Sequence, residues 1–193
     1  MLVSLLLILL QVCSQLLTAV AMPTCLLNGH VVQSAHHMLR DLGGPFPVSC
    51  WPVNVNISFP SSALTAASEN HLQCRKALRV VYESLQEAGL IFEEDLPAGL
   101  TWGEEKLQRF QHLQFRLMEE GECLSGVDGS VALSAYFSNV TAVLEQQGSA
   151  ACGWEALRRD LLWILKSALH QHHNCFTWGQ KPRPPRDEAP RPL

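Results

Sequence analysis

The histidines near the end of the chain have the spacing that comes closest to a chemical site. His170 and His173 lie one helical turn apart, so both could reach one metal ion. Alternatively, these histidines lie at the C-terminus of a helix, where the negative end of the helix dipole stabilises positive charge. We favour that interpretation. His36 and His37 are adjacent, so they point to different faces, and we predict that they lie at the surface.

No motif for catalysis or for a bound cofactor occurs in the sequence. It contains no GxSxG turn, no HExxH motif and no glycine-rich phosphate loop. We interpret the acidic pairs as solvated surface charges: Glu93-Glu94, Glu104-Glu105 and Glu119-Glu120. We therefore predict that the protein is not an enzyme and needs no cofactor or metal. A formal net charge of −4 without a dense basic face also argues against nucleic acid as a partner.

The cysteines are the residues that predict covalent bonds within the chain. Six cysteines follow residue 21, and none belongs to a CxxC pair, so neither a zinc site nor a redox site is indicated. An even number indicates disulfides in an oxidising compartment, and fifteen pairings are possible. The six are Cys25, Cys50, Cys74, Cys123, Cys152 and Cys175.

The ends of the chain differ in composition from its middle. Residues 1–21 carry no charge and end in Ala19-Val20-Ala21, the small-x-small pattern of signal peptidase sites. A membrane anchor is the alternative, but polar residues interrupt the apolar run. We predict a signal peptide over 1–21, one helical domain over 22–175, and a disordered Pro/Arg-rich tail over 176–193. The mature chain would be secreted without membrane insertion, and the sequons at Asn56 and Asn139 are candidate glycosylation sites.

Apolar residues recur at helical spacing in five segments, and no segment has a convincing strand pattern. Gly89 is predicted to end the second helix, Thr101 to cap the third and Asp128 to cap the fourth. The first loop is long for a compact domain. This pattern predicts an all-α, up-up-down-down bundle of about five helices with a long first crossover. The predicted helices cover 25–42, about 65–88, about 102–120, about 129–147 and about 152–172.

The start of the last predicted helix resembles the type I interferons. It reads Cys152-Gly153-Trp154-Glu155 and continues to Arg158, and that family opens its last helix with Cys-Ala-Trp-Glu, two apolar residues and Arg. The match covers about residues 25–169. Four other stretches resemble the family in the same order: 45–50 (PFPVSC), Phe59-Pro60, 102–105 (WGEE) and Tyr136-Phe137.

The resemblance implies a secreted, monomeric helical cytokine that binds a two-chain class II cytokine receptor and induces antiviral genes. It also implies two disulfides, Cys25–Cys123 and Cys50–Cys152, and in the predicted bundle the two cysteines of each pair lie at the same end. Cys74 and Cys175 lie at one end as well, so we predict a third disulfide between them. This extra pair departs from the mammalian four-cysteine pattern and indicates a divergent branch of the fish type.

In the type I interferons, the high-affinity receptor chain contacts the first loop and the last helix. The matching positions here are Trp51, Arg158, Arg159 and Leu162, while Trp163 stands where the family often has a basic residue. The other receptor chain meets the second to fourth helices, where no residue stands out. Two alternatives remain: another secreted helical cytokine, of the type III interferon or growth-hormone kind, and a carrier of a small apolar ligand in a hollow bundle.

Overall fold

Long helices make up most of the part of the chain that the computed structural model describes, which is residues 25–54, 57–64, 71–146 and 148–179. Within these ranges there is no β-strand, and no helix is long and apolar enough to cross a membrane. The predicted all-α class is confirmed. The helices are α1 (Gly29–Leu42), α2 (Trp51–Asn54), α3 (His71–Phe92), α4 (Glu104–Glu120), α5 (Val131–Leu144) and α6 (Ala150–Gln171). Short 3-10 turns lie at Val48–Cys50, Ser61–Ala63, Glu122–Leu124 and His173–Cys175.

The helix directions follow from disulfides and helix contacts. Cys25–Cys123 joins the start of α1 to the end of α4, and Cys74–Cys175 joins the first turn of α3 to the end of α6. Because α1 packs on α4 and α3 packs on α6, the members of each pair are antiparallel. The bundle therefore has α1 and α3 running up and α4 and α6 running down. α5 connects α4 to α6, and its last turn lies against the start of α6.

A cluster of aromatic rings closes the core at the end where α6 begins. Phe92 lies at the centre of this cluster, with ring centroids 5.8 Å from Trp102, 5.9 Å from Phe110 and 5.1 Å from Trp154. All four residues are buried. Each such side chain contributes roughly 1.5–3 kcal/mol through its removal from water. The cluster therefore anchors α3, α4 and α6 to one another.

The prediction that Gly89 ends the second helix is wrong, because α3 continues through it to Phe92. A Cβ at position 89 would lie 2.6 Å from Nε2 of Gln114, and this amide donates a hydrogen bond to the carbonyl of Leu85. The glycine therefore makes room for a neighbouring helix and does not act as a stop signal.

Two predicted helix caps are also wrong. Gly103, rather than Thr101, is the N-cap of α4, so α4 begins without a side-chain cap. Ser130, rather than Asp128, caps α5, and its hydroxyl accepts the N–H of Leu133 at 3.3 Å. Sequence shows several capping residues near each helix start, but the backbone conformation selects among them.

The packed domain extends past Cys175, where we predicted that the tail begins. Phe176 is buried, and Thr177 forms backbone hydrogen bonds with Leu27 and Gly29 at 3.0 and 2.9 Å. Trp178 packs on Gly29 and donates its indole N–H to the carbonyl of residue 173 at 2.9 Å. The predicted signal peptide and residues 180–193 of the predicted tail lie outside the described residues.

Candidate functional site

A disulfide fastens the long first loop to α6. Cys50 ends a 3-10 turn in the loop, Cys152 lies in the first turn of α6, and their Cα atoms are 5.2 Å apart. Helix α2 follows directly after Cys50 and packs against α6. The side chains that α2 presents are therefore held on a covalently anchored turn.

Arg158, one of the predicted receptor-contact residues, lies beneath this loop. Its side chain is 4% exposed, its Nε donates to Glu155 at 3.0 Å, and its terminal nitrogens donate to the carbonyls of Gly43 and Gly44. Glu155 also accepts the indole N–H of Trp102 at 2.8 Å. The first loop folds over this part of α6, so the guanidinium bonds to loop backbone and not to solvent.

Arg159 has a different environment one residue further on. Its guanidinium donates to the side chain of Asn54 in α2 and to Asp160 at 2.7 Å, and it lies 4.8 Å from the centre of the Phe46 ring. Its side chain is still 33% exposed. Arg159 therefore links α2 to α6 and keeps an edge in solvent.

The buried carboxylate of Asp160 accepts hydrogen bonds from both Arg159 and Tyr136. Tyr136 of α5 donates its hydroxyl to Asp160 at 2.9 Å. Burial raises the pKa of Asp160 above its ordinary value, and the neighbouring Arg159 and Tyr136 oppose that rise. Burial also raises the pKa of Tyr136, so this hydroxyl keeps its proton at neutral pH.

Aromatic side chains form the outer surface around these arginines. Trp51 is 65% exposed and Trp163 is 39% exposed, whereas Phe59 packs between Trp163 and Tyr136 at 5.5 and 5.2 Å. Leu162 is half-buried. A groove of about 490 Å³ separates the loop from α6 here, with Phe59, Arg159 and Trp163 in its walls.

A second surface, which the sequence analysis did not single out, lies between α3 and α4. Leu90 and Phe115 are 61% and 65% exposed beside a groove of about 490 Å³. Gln114 lines the groove, and its buried carbonyl oxygen has no hydrogen-bond partner among the described residues. This surface could have been found in the sequence, because each of the two helices carries a large apolar residue on its otherwise polar side.

The remaining candidate residues lie elsewhere. Asn139 is exposed on α5, and Asn56 is outside the described residues. Within the described ranges, no group of three or more histidine, cysteine or acidic side chains is arranged to hold a metal ion. His170 is exposed, and His173 stacks on Trp178.

Comparison with known proteins identifies the family. Residues 27–171 match the family model described as Interferon alpha/beta domain. The chain belongs to this interferon family. The predicted resemblance to type I interferons is thereby confirmed, and the prediction that the protein is not an enzyme is confirmed because members of the family are cytokines.

Individual relatives agree with this assignment of the chain to the type I interferons. Interferon alpha-G of Bos taurus is 28% identical over 145 residues, which are 69% of this chain and 75% of that protein. Interferon beta of Tachyglossus aculeatus aculeatus is 24% identical over 135 residues, 64% of this chain and 70% of that protein. The solved structure of zebrafish interferon 2 is 29% identical, with a TM-score of 0.62, and the match covers 75% of this chain and 99% of that one.

Proposed function

We propose that this interferon is secreted after removal of residues 1–21 and induces antiviral genes by binding two receptor chains. Interferons act through class II cytokine receptors at the cell surface, and the family assignment supports that partner here. The observation that carries the proposal is Trp51, a large exposed aromatic residue on a turn that Cys50–Cys152 fastens to α6. Exposed aromatic residues on rigid supports are frequent hot spots of binding.

The proposed first receptor surface consists of Trp51, Arg159, Leu162 and Trp163. The two tryptophans would supply apolar contact area, and the exposed edge of Arg159 would supply charge. Arg158 acts in this surface only as a positioning residue, because its guanidinium holds the loop from beneath.

The proposed second receptor surface is the groove between α3 and α4. Leu90 and Phe115 are apolar side chains at the rim of a concave surface, which is the arrangement expected of anchor residues. These helices are not those of the first surface, so the two receptor chains can bind at the same time. The interferon would act as a monomer that bridges them.

The deciding experiment adds purified mature protein to cells that carry matching receptors and measures antiviral gene induction. Trp51→Ala should weaken binding to the first receptor chain by about 2 kcal/mol, which is roughly 30-fold. Leu72→Ala, at an exposed position early in α3, is the matched control and should leave affinity unchanged. An absence of induction by the unaltered protein would contradict the proposed function, whereas unchanged affinity of Trp51→Ala would remove only the first surface.

Secretion and glycosylation are proposed from the sequence, and separate measurements test each of them. N-terminal sequencing of protein from culture medium should begin at Met22. Mass spectrometry before and after removal of N-linked sugars should show glycans at Asn56 and Asn139. A chain retained on membranes with residues 1–21 intact would contradict the proposed export.

A further inference from the structure

Five of the eight histidines lie around one open groove between α1 and the end of α6. His36 and His37 of α1 and His170 and His173 from the other side line this groove, which has a volume of about 390 Å³. His30 lies next to it, with its ring 5.2 Å from that of Trp178. We call these five residues the histidine surface.

The histidine surface has cationic neighbours. Lys166 of α6 lines the groove, and Arg40 of α1 lies close enough to His36 to affect its ionisation. The pKa of His36 is lowered by its burial and by the charges of His37, Arg40 and Lys166. No acidic side chain lines the groove among the residues that the structure describes.

Two acids on the surrounding elements, Asp41 and Glu120, have partners of their own. Asp41, next to Arg40 on α1, accepts its Nε–H at 3.0 Å. Glu120 of α4, the helix packed behind α1, pairs with Arg116 at 2.9 Å and accepts the N–H of Asn28. The groove therefore gains positive charge as its histidines take up protons, and no carboxylate in its walls neutralises that charge.

A stacked pair of rings holds the groove in shape. Trp178 stacks on His173 with ring centroids 4.3 Å apart and an angle of 13°, and its indole N–H is bonded to the carbonyl of residue 173. The largest exposed apolar side chains of the described residues, such as Trp51 and Phe115, lie on other surfaces. A membrane-binding surface would need such side chains for insertion, whereas a hydrated polyanion does not.

We propose that the histidine surface binds sulfated polysaccharides, and that it does so tightly only in mildly acidic solution. Sulfate groups stay ionised in mildly acidic solution, where an imidazole can take up a proton and become cationic. His36, whose pKa is lowered, requires a more acidic solution than an ordinary histidine. At neutral pH the fixed cations are Lys166 in the wall of the groove and Arg40 beside it, and Arg40 is paired with Asp41. Below that pH each protonated imidazole adds a charge on the same open surface, so affinity rises as pH falls. This proposal does not depend on the proposed receptor surfaces.

The test measures binding of the mature chain to immobilised heparin at about pH 7.4 and about pH 5.5, at physiological ionic strength. Several exposed ion pairs of modest strength should together tighten binding about tenfold or more at the lower pH. Chemically desulfated heparin should bind weakly at both. Equal affinity for heparin at the two pH values would overturn the proposal, and so would stronger binding to phosphatidylserine vesicles than to heparin.

Matched variants locate the effect. His37→Gln together with His170→Gln changes two exposed residues of the histidine surface and should abolish most of the increase at low pH. His112→Gln changes an exposed histidine of α4 and should keep the increase. A chain that ends at Gly179 lacks the basic residues of 180–193 and should also keep it. Circular dichroism checks that each variant is folded. A loss in His112→Gln or in the shortened chain, or full retention in the double variant, would contradict the assignment.

Discussion

Arg158 and Arg159 are adjacent, but their surroundings are opposite. Successive residues of a helix point about 100° apart, so one guanidinium enters the space under the loop while the other lies along its edge. Arg158 is 4% exposed and Arg159 is 33% exposed. Substitution of the first should therefore affect stability, and substitution of the second should affect the outer surface.

We predict that Arg158→Ala lowers the free energy of unfolding by about 3–5 kcal/mol, because it leaves the buried carboxylate of Glu155 without its cationic partner. Denaturant titration measures this change. Arg109→Ala is the matched control, since its pair with Glu105 is exposed, and it should cost about 0.5 kcal/mol or less. Equal losses for the two variants would contradict the buried role of Arg158.

We predict that Tyr136→Phe raises the pKa of Asp160 further, because the tyrosine hydroxyl stabilises the carboxylate. A raised folded-state pKa means that the stability linked to neutral Asp160 is complete at low pH and is lost as pH rises through that pKa. The variant should lose more than the parent over the same rise, reaching a deficit of about 1.5–3 kcal/mol at neutral pH.

Unfolding measured below and above the pKa of Asp160 tests this expectation. In an Asp160→Asn background the deficit caused by Tyr136→Phe should no longer depend on pH. A deficit that is constant with pH in the parent background would show that the hydroxyl does not act through Asp160.

At the scale of elements, the contact between α3 and α4 includes a small residue opposite a buried amide. Gln114 donates to the carbonyl of Leu85 within α3, and Gly89 leaves the space for that approach. The glycine lowers the helix propensity of α3 by about 1 kcal/mol relative to alanine. The close approach of the two helices offsets this cost through a buried hydrogen bond.

We predict that Gly89→Ala destabilises the bundle, because the added methyl displaces the buried amide of Gln114. A buried polar group that loses its hydrogen-bond partner costs about 1–3 kcal/mol. In a Gln114→Ala background the same substitution should instead stabilise by up to about 1 kcal/mol, since only helix propensity remains. Thermal or denaturant unfolding of the four proteins of this double-mutant cycle gives the coupling. Additive effects would show that the two residues do not interact.

At the scale of the whole molecule, three disulfides stabilise the bundle, two at one end and one at the other. Their sequence separations are 98, 101 and 102 residues, so restriction of the unfolded chain should stabilise by roughly 4–5 kcal/mol for each. Cys25–Cys123 and Cys74–Cys175 fasten helix ends to each other. Cys50–Cys152 alone fastens the loop that carries Trp51.

We predict that replacing either Cys50 and Cys152 or Cys74 and Cys175 with alanine pairs lowers stability by similar amounts. Only the first replacement should also weaken binding to the first receptor chain beyond the change in folded fraction, because it releases the loop. Denaturant unfolding and surface binding assays on both variants separate the two effects. Equal loss of affinity in both variants would contradict a specific role for Cys50–Cys152 in holding the proposed first receptor surface.

Much of this architecture could be predicted from one sequence because it depends on local patterns. Apolar residues at helical spacing place the helices, and glycine and proline mark the first loop. The Cys-x-Trp-Glu segment carried the resemblance to the type I interferons, and the match of residues 27–171 to that family confirms it. The six cysteines could be sorted by end once a bundle was assumed, because their order along the helices places them.

Tertiary contacts alone decided the rest. Gly89 was predicted to end a helix, but α3 continues through it, and Gln114 of α4 packs closely against it. Arg158 was predicted as a receptor contact from its position in the last helix, but a loop more than 110 residues away in sequence covers it. The histidine surface also depends on folding, since His36 and His170 meet only when α1 packs against α6. Periodicity shows which face of a helix is buried, but the partner that covers a polar side chain comes from a distant segment.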